Sequence, residues 1–177
     1  IPDKTCITYL TDKEETGSDG NTGMQSDFLR YFIYDLAKSD GEEGYRVLSK
    51  SKCLSADVNA AVDPTYESCF EPKNCSYINE GVVISKYTGA RGKSGTSDAS
   101  AEYMGEVRSM LESNNIIWQV GELGKVDLGG GGTIAKYVAN MNVDVVDLGV
   151  PVLSMHAPFE IVSKVDVSFF FFLMIRR

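Results

Sequence analysis

The stretch that decides the fold is residues 6–18, in which the apolar run CITYL leads into the acidic turn TDKEETGS. The run over residues 6–10 is apolar and rich in β-branched side chains, which predicts a buried strand. The turn that follows carries Glu14 and Glu15 and is broken by Gly17. Because open α/β sheets bind their ligands beyond the carboxyl ends of the strands, this turn is a candidate functional site.

Two adjacent carboxylates can take different roles in such a turn. Successive side chains of extended backbone point in opposite directions, so one of Glu14 and Glu15 can bind a metal while the other moves a proton. Like charges side by side also raise the pKa of one carboxyl unless a cation neutralises the pair. The alternative interpretation is a solvated acidic turn, because glutamates are usually exposed.

Strand and helix patterns alternate through the rest of the chain. Apolar residues at helical spacing predict helices over 21–38, 97–114 and 133–141. Short apolar runs predict further strands over 46–57, 81–87, 116–120 and 143–148. A turn is expected at Pro151, and loops over 58–75 and 88–95. This alternation predicts an α/β sheet covered by helices on both faces.

Composition narrows the class of protein and its partners. The chain has 177 residues, which suits one domain, and its formal net charge of −8 repels phosphate backbones, so we expect no nucleic-acid partner. The four cysteines form no C-x-x-C pair, and we expect reduced thiols in a cytoplasmic protein, with a Cys69–Cys75 disulfide as the alternative.

The two ends of the chain are unusual. The N-terminus shows no signal-peptide pattern and begins almost inside the first predicted strand, which indicates an internal cut. Residues 169–175 (FFFFLMI) are far fewer than the roughly 20 that span a bilayer, so no membrane partner is expected. An apolar run of this kind promotes aggregation where it is exposed.

His156 is the only histidine of the chain and follows an apolar strand. The chain also places Glu14, Glu15 and Asp57 at predicted strand ends. Two carboxylates with one imidazole suit zinc, which accepts oxygen and nitrogen ligands. A purely structural histidine is the alternative interpretation.

Five segments, taken together and in order, resemble one family. The resemblance is to the aminopeptidase I (aspartyl aminopeptidase) family of zinc metallopeptidases, in particular its bacterial branch, and it runs from about residue 4 to about residue 167. It implies a three-layer sandwich with a mixed, mostly parallel sheet. The segments are residues 12–18 (DKEETGS), 54–58 (LSADV), 86–95 (KYTGARGKSG), 129–135 (GGGGTIA) and 153–160 (LSMHAPFE).

The resemblance implies a role for each candidate residue of the metal centre. Glu14 is then the general base that takes a proton from a metal-bound water and relays it to the leaving amine. Glu15 and His156 ligate one zinc ion, and Asp57 ligates a second; cobalt or manganese are alternative metals.

The resemblance also implies that Lys86, Gly132 and Thr133 line the substrate pocket. Lys86 has an alternative as an ordinary strand-end lysine, and Thr133 as a helix cap. Selectivity for acidic N-terminal residues would need a cationic pocket, for which Lys86, Arg91 and Lys93 are the candidates.

Some parts of the family pattern are missing. The family's site also needs an upstream histidine and a bridging aspartate, and the family carries a β-rich dimerisation domain; none of these is found in this chain. The predicted organisation is therefore a C-terminal portion of a catalytic domain over residues 1–167 and an aberrant apolar tail over 168–177. A frameshift or truncated reading frame would explain such a tail.

The expected function is a zinc-dependent aminopeptidase that removes N-terminal residues from peptides and assembles as a homo-oligomer. Neither zinc site reaches the three protein ligands usual for catalysis, so weak metal binding and little activity are expected from this chain alone. One alternative is an inactive assembly or binding module. Another is a different dinuclear peptidase, such as a glutamyl or deblocking aminopeptidase, which the LSMH segment at residues 153–156 disfavours.

Overall fold

A five-stranded mixed sheet forms the centre of the computed structural model, which describes residues 3–91, 94–125 and 127–175. Its strands are Lys52–Ala60 (β1), Val82–Ser85 (β2), Trp118–Val120 (β5), Asp144–Leu153 (β7) and Ile161–Val162 (β8). The strand order is β1-β7-β2-β5, and the short β8 pairs with β7. β1 runs parallel to β7 and β5 runs parallel to β2, whereas β2 and β8 run antiparallel to β7.

A second sheet and five α-helices complete the part of the fold that the structure describes. The small sheet has the order β4-β3-β6 and consists of Tyr87–Ala90 (β3), Ser94–Asp98 (β4) and Gly130–Gly131 (β6). The helices are Phe28–Ser39 (α1), Gly44–Ser49 (α2), Ala101–Ser113 (α3), Ala135–Ala139 (α4) and Lys164–Ile175 (α5).

Helices cover both faces of the central sheet because side chains of β7 alternate between two apolar clusters. Val146 and Leu148 belong to a cluster with residues of α3 and α5. Val145, on the opposite face, belongs to a cluster with residues of α1, α2 and α4. The predicted α/β sandwich with a mixed sheet is therefore confirmed, and the longest pairing, that of β1 with β7, is parallel.

The strand predicted over residues 6–10 is wrong for this structure. These residues have no regular secondary structure, and Leu10 is 88% exposed. Tyr9 packs against the cluster of α1, α2 and α4, and its ring stacks on Phe28. A strand needs a neighbour to accept its backbone hydrogen bonds, and within the described ranges none pairs with this segment.

Several boundaries also differ from the predictions. The segment predicted as a strand from residue 46 begins instead as α2, and the loop predicted over 88–95 contributes to β3 and β4. The turn expected at Pro151 is absent, since β7 continues to Leu153. Pro151 lies beyond the last pair between β7 and β2, which is Gly149↔Val83. No hydrogen bond to β2 is needed at that position, so a residue without an N–H is tolerated there.

The apolar tail forms most of α5 rather than an unstructured extension. Leu173 is only 2% exposed and lies in the α3 cluster, against which Phe169 and Phe170 also pack. Asp166, at the start of this helix, is fully buried and accepts backbone hydrogen bonds from Asn79 at 2.8 Å and Gly81 at 2.9 Å. These contacts attach the helix to the start of β2.

The division at residue 167 stays a prediction, and residues 176 and 177 of the tail lie outside the described residues. Among the helices that the structure describes, none is both long and apolar enough to cross a membrane.

Candidate functional site

The two adjacent glutamates lie on a tight 3-10 turn, Glu14–Thr16. Left-handed backbone brackets the turn, with φ of 61° at Lys13 and 96° at Gly17. The amide of Ser18 donates a hydrogen bond of 2.7 Å to the carbonyl of Lys13, which closes the loop. This geometry holds both carboxylates on a short, defined turn, on which Glu15 is exposed and Glu14 is partly buried.

His156 lies on an equally constrained segment after β7. Ser154 and His156 both have left-handed backbone, with φ of 58° and 66°, a conformation that residues other than glycine seldom adopt. The amide of His156 donates to Glu160 Oε1 at 2.5 Å, and Ser154 Oγ donates to Asp63 Oδ2 at 3.1 Å. These bonds hold the backbone segment that carries the imidazole.

The fold brings the glutamate turn and the histidine together. His156 Nδ1 lies 3.5 Å from Glu15 Oε2, and both side chains are mostly exposed. Partial burial raises the pKa of Glu14, and the charges of Asp57 and Glu15 raise it further, whereas His156 lowers it. The charges of Glu15, Asp57 and His156 therefore all act on the carboxyl of Glu14.

Asp57 belongs to a polar strip on the central sheet. Ser55, Asp57 and Asn59 alternate along β1, so they share the face that Cys53 presents to the α4 cluster. Asp147 on β7 pairs with Ser55 on one side and with Ser85 of β2 on the other. Polar side chains thus replace apolar ones toward the carboxyl ends of β1 and β7.

A small pocket opens over this strip. Its lining combines hydroxyl, amide and carboxylate groups with a few apolar side chains. The lining residues are Ser55, Asp57, Val58, Asn59, Ser85, Thr88, Leu123, Thr133, Asp147, Leu148 and Gly149.

Asp147 was not predicted as a site residue. It is only 9% exposed, and burial raises the pKa of its carboxyl, with a smaller contribution from the charge of Asp57. The hydroxyls of Ser55 and Thr133 lower that pKa, yet Oδ1 receives no hydrogen bond of good geometry. The signal available in the sequence was a charged residue inside the apolar run over 145–148.

The three residues predicted to line the substrate pocket differ in where they lie relative to the pocket that the structure shows. Lys86 forms an ion pair with Asp98 and donates to the carbonyl of Ala99 at 2.5 Å, and it is not among the residues that line the pocket. Thr133 does line the pocket, and its Oγ1 also accepts from the amide of Ala135, the first residue of α4, at 3.3 Å, although the N-cap position of that helix is Ile134.

Gly132 precedes Thr133 and lies close to the second sheet. A Cβ atom at Gly132 would lie 3.4 Å from the carbonyl oxygen of Gly95, which is tight packing for a side chain. The candidate cation Lys93 lies outside the described residues.

The candidate metal ligands fit zinc in chemistry but fall short in number. Imidazole nitrogen and carboxylate oxygen are ligands that zinc accepts, and Glu15 and His156 supply one of each. Within residues 3–91, 94–125 and 127–175, no group of three His, Cys, Asp or Glu side chains is placed to hold one ion. Within the described residues these side chains therefore do not make a complete zinc site.

Comparison with known families identifies the group to which the chain is related. Residues 2–174 match the family described as aminopeptidase I zinc metalloprotease (M18). The chain belongs to this family. A probable M18 family aminopeptidase 1 from Clostridium acetobutylicum is 50% identical over 168 residues, which cover 93% of this chain.

Solved structures agree with this assignment. A crystal structure of an M18 aminopeptidase from Thermotoga maritima superposes with a TM-score of 0.87 at 45% identity and covers 92% of this chain. The fold is also shared with the dodecamer of mApe1 from S. cerevisiae, at a TM-score of 0.73 and 22% identity.

The chain spans little more than a third of these M18 relatives. It covers 36% of the Clostridium protein and 37% of the Thermotoga chain. The matched residues 2–174 contain the glutamate turn, β1 and the segment after β7 that carries His156.

Proposed function

We propose that this chain forms part of the catalytic centre of a zinc-dependent aminopeptidase that hydrolyses N-terminal residues from peptides. Membership of the M18 family supports the reaction class. The observation that carries the proposal is the 3.5 Å approach of His156 Nδ1 to Glu15 Oε2, beside Glu14. It joins the two segments that most resemble the family's metal centre.

Each candidate residue has a distinct role in this proposal. Glu15 and His156 hold one zinc ion, and Asp57 contributes to the site of a second; cobalt or manganese can replace zinc at such ligands. When bound, zinc lowers the pKa of water and polarises the scissile carbonyl. Glu14 accepts the proton of the attacking water and delivers it to the leaving amine.

The raised pKa of Glu14 is compatible with this role. A carboxyl whose pKa lies above its ordinary value is a stronger base than an exposed glutamate. Thr133 and Gly132 lie on the glycine-rich segment beside the pocket and are proposed to contact substrate, and Lys86 is proposed to lie at its margin.

The complete centre needs further ligands from outside this chain, because two ligands at one site do not reach the three that catalytic zinc requires. We propose a cytoplasmic homo-oligomer for the complete enzyme, which the dodecameric relative supports. An inactive assembly module is the second candidate function, and the incomplete ligand set favours it for this chain alone.

Complementation in trans tests the proposal. The upstream part of the Clostridium aminopeptidase is co-expressed with this chain, and release of N-terminal residues from peptides is measured with added zinc. We expect activity from the mixture, its loss on Glu14→Gln with zinc still bound, and no change on Glu112→Gln, a matched variant on an exposed part of α3. Retained activity in Glu14→Gln would rule out the general-base role. Folding and oligomerisation without zinc or activity would favour the assembly module.

A further inference from the structure

A side-chain hydrogen bond continues the pairing of β1 with β7 past the ends of both strands. The register ends at Ala60↔Val152, and the amide of Ala61 donates to the carbonyl of Val152 at 2.8 Å. Two residues further along each chain, Ser154 Oγ donates to Asp63 Oδ2 at 3.1 Å. This bond therefore joins the segment after β1 to the start of the segment that carries the histidine.

The carboxylate of Asp63 is itself held in place by the residue two positions later. Its Oδ1 accepts from the amide of Thr65 at 2.9 Å and from the Thr65 hydroxyl at 2.6 Å. These bonds and the one from Ser154 lower the pKa of Asp63, so its side chain is an ionised acceptor at neutral pH. Hydrogen bonds to an ionised acceptor are stronger than those between neutral groups.

The segment that this bond reaches has a backbone conformation that needs support. Ser154 and His156 are both left-handed, and such strained residues persist only where their surroundings hold them. The amide of His156 donates to Glu160 Oε1 at 2.5 Å and the amide of Ala157 to the carbonyl of Ser154 at 2.9 Å, both within the segment. The bond from Ser154 to Asp63 differs from these because its acceptor lies on another part of the chain.

We propose that Asp63 is a positioning residue for the candidate metal centre. Through Ser154 it holds the segment that carries His156 against the end of β1, the strand that carries Asp57. It acts through this hydrogen bond rather than by contact with zinc or substrate. The inference rests on the proposed zinc aminopeptidase function, in which His156 and Asp57 belong to one dinuclear site.

Amide hydrogen exchange of the metal-free chain tests the hydrogen bond itself. Asp63→Ala and Ser154→Ala each remove one partner, and each is expected to speed exchange at the amides of His156 and Ala157 by about tenfold. Buried amides in the middle of β7 should change much less, which shows that the variants remain folded. The double variant should add little to either single one, because both substitutions remove the same bond.

Zinc binding tests the effect on the candidate ligand. His156 is the only histidine of the chain, so its Cε1–H resonance in a proton NMR spectrum is unambiguous. Zinc is titrated while this resonance is followed, and binding is expected to be about tenfold weaker in Asp63→Ala than in the parent.

Two further variants separate positioning from a general loss of charge. Asp63→Asn keeps an acceptor oxygen for Thr65 and places an amide beside Ser154 Oγ, which can accept from it, so zinc binding should match that of the parent. Glu67→Ala removes an exposed carboxylate from the same loop and should also leave zinc binding unchanged.

Unchanged exchange at His156 and Ala157 in both alanine variants would overturn the proposal. Parent-like zinc affinity in Asp63→Ala would do the same, and so would an Asp63→Asn variant that binds zinc as weakly as Asp63→Ala. Failure of the zinc proposal has a different signature, because zinc would then leave the His156 resonance of the parent unmoved while Asp63→Ala and Ser154→Ala still speed exchange.

Discussion

Gly149 and Asp57 lie opposite each other in the parallel pairing of β7 and β1, and a Cβ atom at Gly149 would lie 2.5 Å from the carbonyl oxygen of Asp57. No side chain fits at that distance without displacing the backbone of β1. Glycine at position 149 thus keeps the backbone of Asp57, a candidate zinc ligand, in its place beside the pocket.

Gly149→Ala is expected to destabilise the fold by about 2 kcal/mol, because it overpacks a buried strand pair. Urea denaturation measures the effect. Gly105→Ala is the control, since nothing lies within 4 Å of a Cβ at this position in α3 and alanine is the better helix former, with a gain of up to about 1 kcal/mol. Equal effects of the two substitutions would contradict the close approach.

Asp147→Asn is expected to stabilise the ligand-free chain near pH 7, by on the order of 1 kcal/mol. Burial raises the pKa of Asp147 in the folded state, so the folded chain is penalised for the charged form at neutral pH. As the pH falls through that raised pKa, protonation removes the penalty, and it is fully absent below the ordinary value of 3.8.

Chemical denaturation over a range of pH tests the direction of this effect. The difference in unfolding free energy between Asp147→Asn and the parent should be largest near pH 7 and should shrink as the pH falls toward 3.8. Asp144→Asn, at the exposed start of β7, should show a much smaller difference. A variant that is less stable than the parent at pH 7 would mean that the hydroxyls of Ser55 and Thr133, which lower the pKa of Asp147, outweigh the cost of burying its charge.

The apolar tail should behave as a packed helix on one side and an exposed surface on the other. Leu173→Ala is expected to cost about 2–5 kcal/mol because it empties a site in the α3 cluster. Phe171, which is 59% exposed, should tolerate the same change with little loss of stability and with less self-association.

Trp118 packs against the same cluster as Leu173, so its fluorescence reports the unfolding of this region. Sedimentation velocity measures self-association in parallel. If Leu173→Ala and Phe171→Ala were equally neutral, α5 would not be part of the core.

The buried carboxylate of Asp166 should be essential for holding α5 to the sheet. Asp166→Ala leaves the amides of Asn79 and Gly81 without their acceptor and is expected to cost about 3 kcal/mol. Asp166→Asn keeps one acceptor oxygen and should cost less, while the exposed Lys164→Ala on the same helix should change little. Thermal unfolding orders the three variants, and a neutral Asp166→Ala would contradict the anchor.

The family resemblance, and not the spacing of the residues, implied that Glu15 and His156 meet at one metal ion. The structure places their side chains 3.5 Å apart, although the segment before the glutamate turn is not a strand of the central sheet. Asp147 escaped prediction because it sits within an apolar run whose pattern indicates a strand and nothing more.

The fold class followed from the alternation of strand and helix patterns along the chain. The predictions of single elements that were wrong have identifiable physical causes. Residues 6–10 have the pattern of a strand, but pattern alone cannot supply a neighbouring strand to pair with. Proline normally ends a strand, yet Pro151 is tolerated because β7 has no pair with β2 at that position. Boundaries depend on such tertiary contacts rather than on local preference.

The zinc content of the purified chain tests the central claim most directly. The chain is dialysed near neutral pH against trace zinc, and metal per chain is measured by elemental analysis. We predict far less than one zinc ion per chain, because Glu15 and His156 are only two ligands of one site, and a rise to roughly two when the upstream segment of the relative is added. Roughly two zinc ions bound to the chain alone would contradict the account.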